Sequence, residues 1–286
     1  CDESIIHIFT IKSLYIFIIS TIFLKKKFKV IVSITGLGFI FADSFLAKIL
    51  KNLVRPIILL RINKIVQLII FQNKSNMETF TKYSNYKNNL KIIEGSGLNI
   101  SDFKTKNDNE LKKIIFVGRL MREKGIYEYI EIAEKLQGRN DIDFFIAGSP
   151  DFGNKSSVSK EEFKIIQNNP NIKYLGEIDV NNRLHEFDIL IQPSYHEGFS
   201  RILIEGIYVG LYCIANDIPG MNEIINKTKF GDLIHGNNID DYIKSIEKLS
   251  DRIPYEKFIN AREKIMMNYS VQAISNEFRK IYNEYT

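Results

Sequence analysis

The chain has 286 residues, 45% of them hydrophobic and 26% charged; the length suits about two domains, and the balance excludes a disordered, collagenous or coiled-coil protein. Two cysteines, Cys1 and Cys213, are too few for a disulfide framework and lack a C-x2-C metal spacing, which fits a reducing compartment. The formal charge of +5 is uneven: residues 1–105 hold 15 Lys and Arg against 6 Asp and Glu, the remainder 24 against 28, so the two parts face different partners.

In the first part, strands are expected at 5–9, 29–34, 65–71 and 90–93, and helices at 12–24, 43–62 and 75–83. The chain opens on Cys1 and enters an apolar strand with neither a basic leader nor a cleavage site before it, and it reads as a fragment without its natural start. A lipoprotein beginning on Cys1 normally continues with a polar linker, unlike this apolar run. The stretch 14–24 is too short for a bilayer and is closed by Lys25, Lys26 and Lys27. A second apolar region, 45–70, is interrupted by six basic or proline residues and is not a span either. Residues 43–64 fit two roles equally: a core helix with a solvated basic face, or a basic helix lying on an anionic membrane surface.

Residues 99–109 form a polar linker. Beyond it, strands at 114–117, 142–147, 172–175, 189–192, 212–215 and 232–235 alternate with helices near 125–137, 159–168, 181–187, 198–209, 220–226 and 238–250. That alternation builds a doubly wound parallel α/β domain. The expected organisation is a partial Rossmann-like domain at 1–105, a complete one at 106–270, and a C-terminal helix at 271–286 that packs back on the first domain or stays apart from it.

Two constellations carry chemistry. Residues 195–205, Tyr-His-Glu-Gly-Phe-Ser-Arg-Ile-Leu-Ile-Glu, follow a strand and open a helix. Gly198 admits a ligand to the backbone, and free N–H groups at Gly198, Phe199 and Ser200 with the helix dipole would hold an anion. Read as one helix, Glu197 and Glu205 lie about 12 Å apart, beyond the roughly 5–9.5 Å of a glycosidase carboxylate pair. They suit gripping two parts of one long ligand. The plainer reading is a surface helix with a packed Ile/Leu face. The second constellation is the loop after the first strand of this domain, where Gly118 and Gly125 bracket Arg119 and Lys124. Two cations at the carboxyl edge of such a sheet suit a diphosphate, and surface solvation of both is the equal alternative.

Together these residues resemble the donor-binding domain of glycosyltransferase family 4, the glycosyl transferases group 1, whose GT-B fold pairs two Rossmann-like domains. The family's G-R-x-x-x-x-K-G loop is matched by Gly118, Arg119, Lys124 and Gly125, and its E-G-x6-E motif by Glu197, Gly198 and Glu205. The segment 217–223 around Gly220 looks like the family's phosphate-side loop. The resemblance runs from about residue 92 to the end. Weaker matches at Gly36 and Gly38, and at 94–99, look like segments of bacterial members that build undecaprenyl-diphosphate-linked oligosaccharides; the alternative for both is a turn needing positive φ. A first domain lacking its start departs from the family pattern.

The resemblance implies a retaining transfer of sugar from a nucleotide-diphosphate donor, UDP-linked, to a lipid-linked or polysaccharide-precursor acceptor. Arg119 and Lys124 would offset the charge of the leaving diphosphate, with backbone help near Gly198, Phe199, Ser200 and Gly220. Glu197 would hold the donor sugar, His196 would lie beside it, and Glu205 would accept from the ribose. No metal and no other cofactor is expected, and the work would sit at the cytoplasmic face of the membrane. The competing class is a non-catalytic nucleotide-sugar-binding module or an inactive fragment. Nucleic-acid binding finds no motif. Asp141 and Asp143 spell D-x-D at the amino end of a strand, away from the binding edge, and read as structural. The four histidines share no metal spacing.

Overall fold

A computed structural model describes residues 4–21, 28–36, 61–84, 86–105, 113–249 and 255–286. They form two compact units, Cys1–Ser96 with Ile274–Thr286, and Gly97–Ala273. Gly38 and nearly all of the expected helix at 43–62 lie outside the described residues. Among the described residues no helix is long and apolar enough to cross a membrane.

The first unit is a four-stranded parallel sheet in sequential order: β1 (Ile5–Phe9), β2 (Lys29–Ile34), β3 (Val66–Phe71) and β4 (Asn89–Ile92). Its strands read as continuous apolar runs because both faces are covered. Val30, Val32, Ile69 and Phe71 belong to one core with α1 (Ile11–Ser20) and α2 (Lys74–Ser84), through Leu14, Ile18 and Phe80. Ile31, Leu68 and Ile70, on the alternate positions, meet Ile274 and Ile281 of the last helix, Val271–Tyr285. Polar contacts fasten that helix: Lys91 Nζ donates to Glu284 at 2.7 Å, and the His7 ring lies 2.7 Å from the Tyr282 hydroxyl and 2.8 Å from Ser33 Oγ. Burial holds His7 below its ordinary pKa.

The second unit holds six parallel strands in the order β10-β9-β8-β5-β6-β7, the doubly wound arrangement with its switch point between β5 and β8. They are β5 (Lys113–Val117), β6 (Asp143–Ala147), β7 (Ile172–Tyr174), β8 (Ile189–Gln192), β9 (Tyr212–Asn216) and β10 (Gly231–Ile234). The crossovers contain α3 (Ile126–Lys135), α4 (Lys160–Gln167), α5 (Val180–Arg183), α6 (Arg201–Val209) and α7 (Asn222–Thr228). The chain then forms α8 (Ile239–Lys248), α9 (Tyr255–Tyr269) and α10, the last helix.

Three elements differ from the expected ones. The segment expected as helix at 181–187 breaks into α5 and a 3-10 turn, Leu184–Glu186. The helix expected from 198 starts at Arg201. Helix α9 was not among the expected elements: its buried residues Phe258, Ala261, Ile265 and Tyr269 form a narrow stripe among charged neighbours, too thin for periodicity to announce.

Tyr129 of α3 is wholly buried, with its hydroxyl 2.8 Å from the carbonyls of both Ile114 and Phe145, and it accepts from the Phe145 N–H at 3.2 Å. This one oxygen joins α3 to β5 and β6. Tyr129→Phe keeps the ring and orphans buried backbone groups, at a cost of about 1–3 kcal/mol; urea unfolding is expected to show a lower midpoint with unchanged slope.

Candidate functional site

In a parallel sheet every strand delivers its following loop to the same edge. The carboxyl ends of β5, β6, β8, β9 and β10 thus gather residues 118–125, 148–158, 193–200, 217–221 and 235–238. Strands β5 and β8 share only the pairs Ile114↔Ile189 and Ile115↔Leu190 and then part. Gln192 fills the opening, its Nε2 donating to the Val117 carbonyl at 2.8 Å. The site occupies this crevice.

Across it, Lys124 Nζ donates to Glu197 Oε1 at 2.6 Å, with side-chain exposures of 24% and 12%. The two constellations found separately in the sequence meet in this ion pair. Their backbones also touch: Tyr195 N–H donates to the Glu123 carbonyl at 2.9 Å, and a Cβ on Gly125, which has φ +75°, would stand 2.2 Å from the Pro193 oxygen. The Tyr195 hydroxyl donates to Glu128 Oε1 at 2.5 Å, and that carboxylate pushes the phenol up. The 118–124 loop is held on its other side by Arg122 N–H to the Ser156 carbonyl at 2.8 Å and Val158 N–H to the Leu120 carbonyl at 3.0 Å.

Arg119 stands apart from this pair, exposed and 3.4 Å from the exposed Asp151. Gly118 carries its constraint through a neighbour, because a Cβ on Gly148, φ +134°, would strike the Gly118 carbonyl at 1.9 Å. Gly148 was missed, although it ends a strand just as Gly118 does.

Two expectations about the first constellation, residues 195–205, are corrected. Glu197 and Gly198 lie in a loop before α6, so Glu205 is the fifth residue of that helix, and the 12 Å spacing of a continuous helix does not apply. The Ser200 N–H is not free: it donates to the Gly220 carbonyl at 3.0 Å. Gly220, with φ +87°, lies where a Cβ would meet the Gly198 oxygen at 2.6 Å, and its own N–H is taken by Glu223 at 2.7 Å. The first turn of α6, where helix geometry leaves N–H groups without intrahelical partners, holds groups able to donate to an anion. The Ser194 and Ser200 hydroxyls are buried with no hydrogen-bond partner among the described residues.

Glu205 is 7% exposed and takes Arg201 Nε at 2.6 Å. Burial raises its pKa above the ordinary carboxyl value, and Arg201 partly opposes the shift. Phe199 is half-buried, 5.3 Å from the Tyr269 ring, while His196 is exposed beside Glu197. Gly36 lies two residues past the end of β2 in the other unit, with ordinary φ and open space at its Cβ position; positive φ occurs instead at Gly95 and Gly97. Asp143 starts β6 at the opposite edge, paired with Lys173 at 2.9 Å, and Asp141 is held at about 2 by Arg139. Among the described residues no three potential ligands cluster around a metal position.

Residues 99–265, more than half of the chain, match the family model for glycosyl transferases group 1. The chain belongs to this family. It is 25% identical over 268 residues to the N,N'-diacetylbacillosaminyl-diphospho-undecaprenol alpha-1,3-N-acetylgalactosaminyltransferase of Campylobacter jejuni, covering 87% of this chain and 69% of that one. It is 27% identical over 175 residues to the UDP-Gal:alpha-D-GlcNAc-diphosphoundecaprenol alpha-1,3-galactosyltransferase of Escherichia coli, covering 58% and 44%. The chain spans about half the length of most curated relatives it matches. Among solved structures, HepE of Anabaena, in complex with UDP and glucose, superposes with a TM-score of 0.75 at 16% identity, covering 97% of this chain and 77% of that one. That likeness shows the fold, GT-B.

Two outcomes follow for stability. Gly125→Ala forces a Cβ into the Pro193 carbonyl at positive φ and is expected to cost more than about 1 kcal/mol in urea unfolding. For Glu205, the raised pKa means that the folded chain keeps a proton which the unfolded chain releases near about pH 4.3. Its ionisation therefore removes stability as pH rises through that window. Glu205→Gln is expected to melt above the parent at neutral pH, with the gap closing below about pH 4 in thermal scans.

Proposed function

We propose that the chain is a retaining glycosyltransferase that moves a sugar from a UDP-linked donor to a lipid-linked or polysaccharide-precursor acceptor at the cytoplasmic face of the membrane. The observation that carries this reading is the 2.6 Å contact of Lys124 with Glu197, which sets a cation and a carboxylate side by side in the switch-point crevice. The ammonium would turn to the donor diphosphate, with Arg119 as a second cation on the same loop and the first-turn amides of α6 completing the anion site. The Ser200 hydroxyl, buried without a partner, adds a donor there. Glu197, released from Lys124, would hold the sugar and favour its oxocarbenium-like state, and Glu205 would accept from the ribose hydroxyls. The leaving phosphate itself would take the acceptor proton, so no enzyme nucleophile is assigned. The two side-chain cations would offset the charge of the diphosphate, so no metal is assigned either. The names of the Escherichia coli relative, with its UDP-Gal donor and diphosphoundecaprenol acceptor, and of the UDP complex of HepE support the choice of nucleotide and acceptor.

Calorimetric titration of UDP, GDP and ADP into the chain, and into Arg119→Ala with Lys124→Ala, tests the reading. UDP is expected to bind. The double variant is expected to lose roughly 100-fold or more in affinity, since each charge-assisted hydrogen bond contributes about 1.5–3 kcal/mol. Binding of none of the three, or equal binding by the variant, would refute it.

A further inference from the structure

The carbonyl oxygen of Pro193 is enclosed on two sides. Gly125 lies against one side, close enough that no side chain fits. On the other, Asn237 Nδ2 donates to it at 2.7 Å. Asn237 belongs to the turn after β10, is 6% exposed, and takes φ +58°, a left-handed conformation that Asn tolerates better than most residues. The Pro193 carbonyl can only accept and so takes the NH2 group, which turns Oδ1 to the hydroxyl of the wholly buried Tyr242 at 2.8 Å. Two residues beyond Pro193, the Tyr195 N–H meets the Glu123 carbonyl, and two residues further on Glu197 reaches Lys124. The segment that presents Glu197 is thus braced from β10, a strand that supplies neither member of the ion pair.

We infer that Asn237 is a positioning residue for the Lys124–Glu197 pair: by holding the Pro193 carbonyl against Gly125, it fixes the 193–197 segment at the height where the carboxylate meets the ammonium. The consequence for ligand binding rests on the function proposed above; the placement of the ion pair does not. A residue wanted only for its left-handed turn is replaceable by glycine, which takes positive φ at no steric cost. A residue wanted for its amide donor is not.

Two variants separate these roles. Asn237→Asp keeps the backbone preference and the acceptor for Tyr242 but turns an oxygen toward the Pro193 carbonyl. Asn237→Gly keeps the turn and removes the amide. Both are measured on the full chain by the 15N–1H signal of the Lys124 ammonium, assigned by its loss in Lys124→Arg and Glu197→Gln, and by UDP titration. Thermal melting identifies any variant that fails to fold, and Tyr242→Phe, which releases the amide from one partner only, then serves as the milder substitute. The expected result is that both Asn237 variants lose the ammonium signal and bind UDP about tenfold more weakly, the size of one buried hydrogen bond. Folded variants that keep the signal overturn the inference, and so does full rescue by glycine. If the signal depends on Asn237 while the parent binds no nucleoside diphosphate, the positioning role stands and the proposed function fails. If the parent binds UDP and the Asn237 variants match it in signal and affinity, the reverse holds.

Discussion

The divergence of β5 and β8 is the constraint on which the second unit depends. Their shared register ends after Ile115 and Leu190, because the helices that follow them lie on opposite faces of the sheet and the chain cannot cover both faces without opening a gap. A gap in a sheet exposes backbone groups that must find partners. Gln192 supplies one by reaching Val117, and the remaining space becomes the crevice in which Lys124 and Glu197 meet.

Packing in that crevice is by backbone more than by side chain. Gly125 against Pro193, Gly148 against Gly118, and Gly220 against Gly198 each bring two main chains closer than any Cβ permits. Close approach of loops keeps the charged groups at fixed separations and so limits the reorganisation that a charged ligand would require. Arg119 sits at the rim with Asp151, on segments held together in the same way by Gly118 N–H to the Ala147 carbonyl and Leu120 N–H to the Ser149 carbonyl.

Burial gives the two carboxylates different characters. Glu197 has an ammonium partner within hydrogen-bond reach and is partly open to solvent. Glu205 lies within a helix, among residues of the main core, and its charged partner is the largely exposed Arg201. One sits against a cation; the other carries the cost of desolvation. In the first unit, the same burial of both sheet faces makes the strands uniformly apolar and assigns one face to the last helix.

The fold class was legible in the sequence because apolar runs of strand length alternating with helical-period segments leave a parallel sheet as nearly the only solution. Among the described residues, all ten strands lie within a residue or two of where that pattern puts them. The motifs were legible too, since glycine beside charge at strand ends is local information. Helix α9 escaped because its buried stripe is narrow, and the start of α6 was misplaced because nothing local distinguishes a loop at Glu197 from the first turn of a helix. What the sequence by itself determined was therefore the set of elements, the family resemblance and the residues at the sheet edge. The tertiary structure alone decided which of those residues meet: that Lys124, and not Arg119, pairs with Glu197, that Ser200 spends its N–H on Gly220, and that Asn237, 44 residues from Pro193 in the chain, donates to its carbonyl. Contacts of that kind are set by how strands diverge and loops interlock, and no residue's neighbours in sequence carry that information.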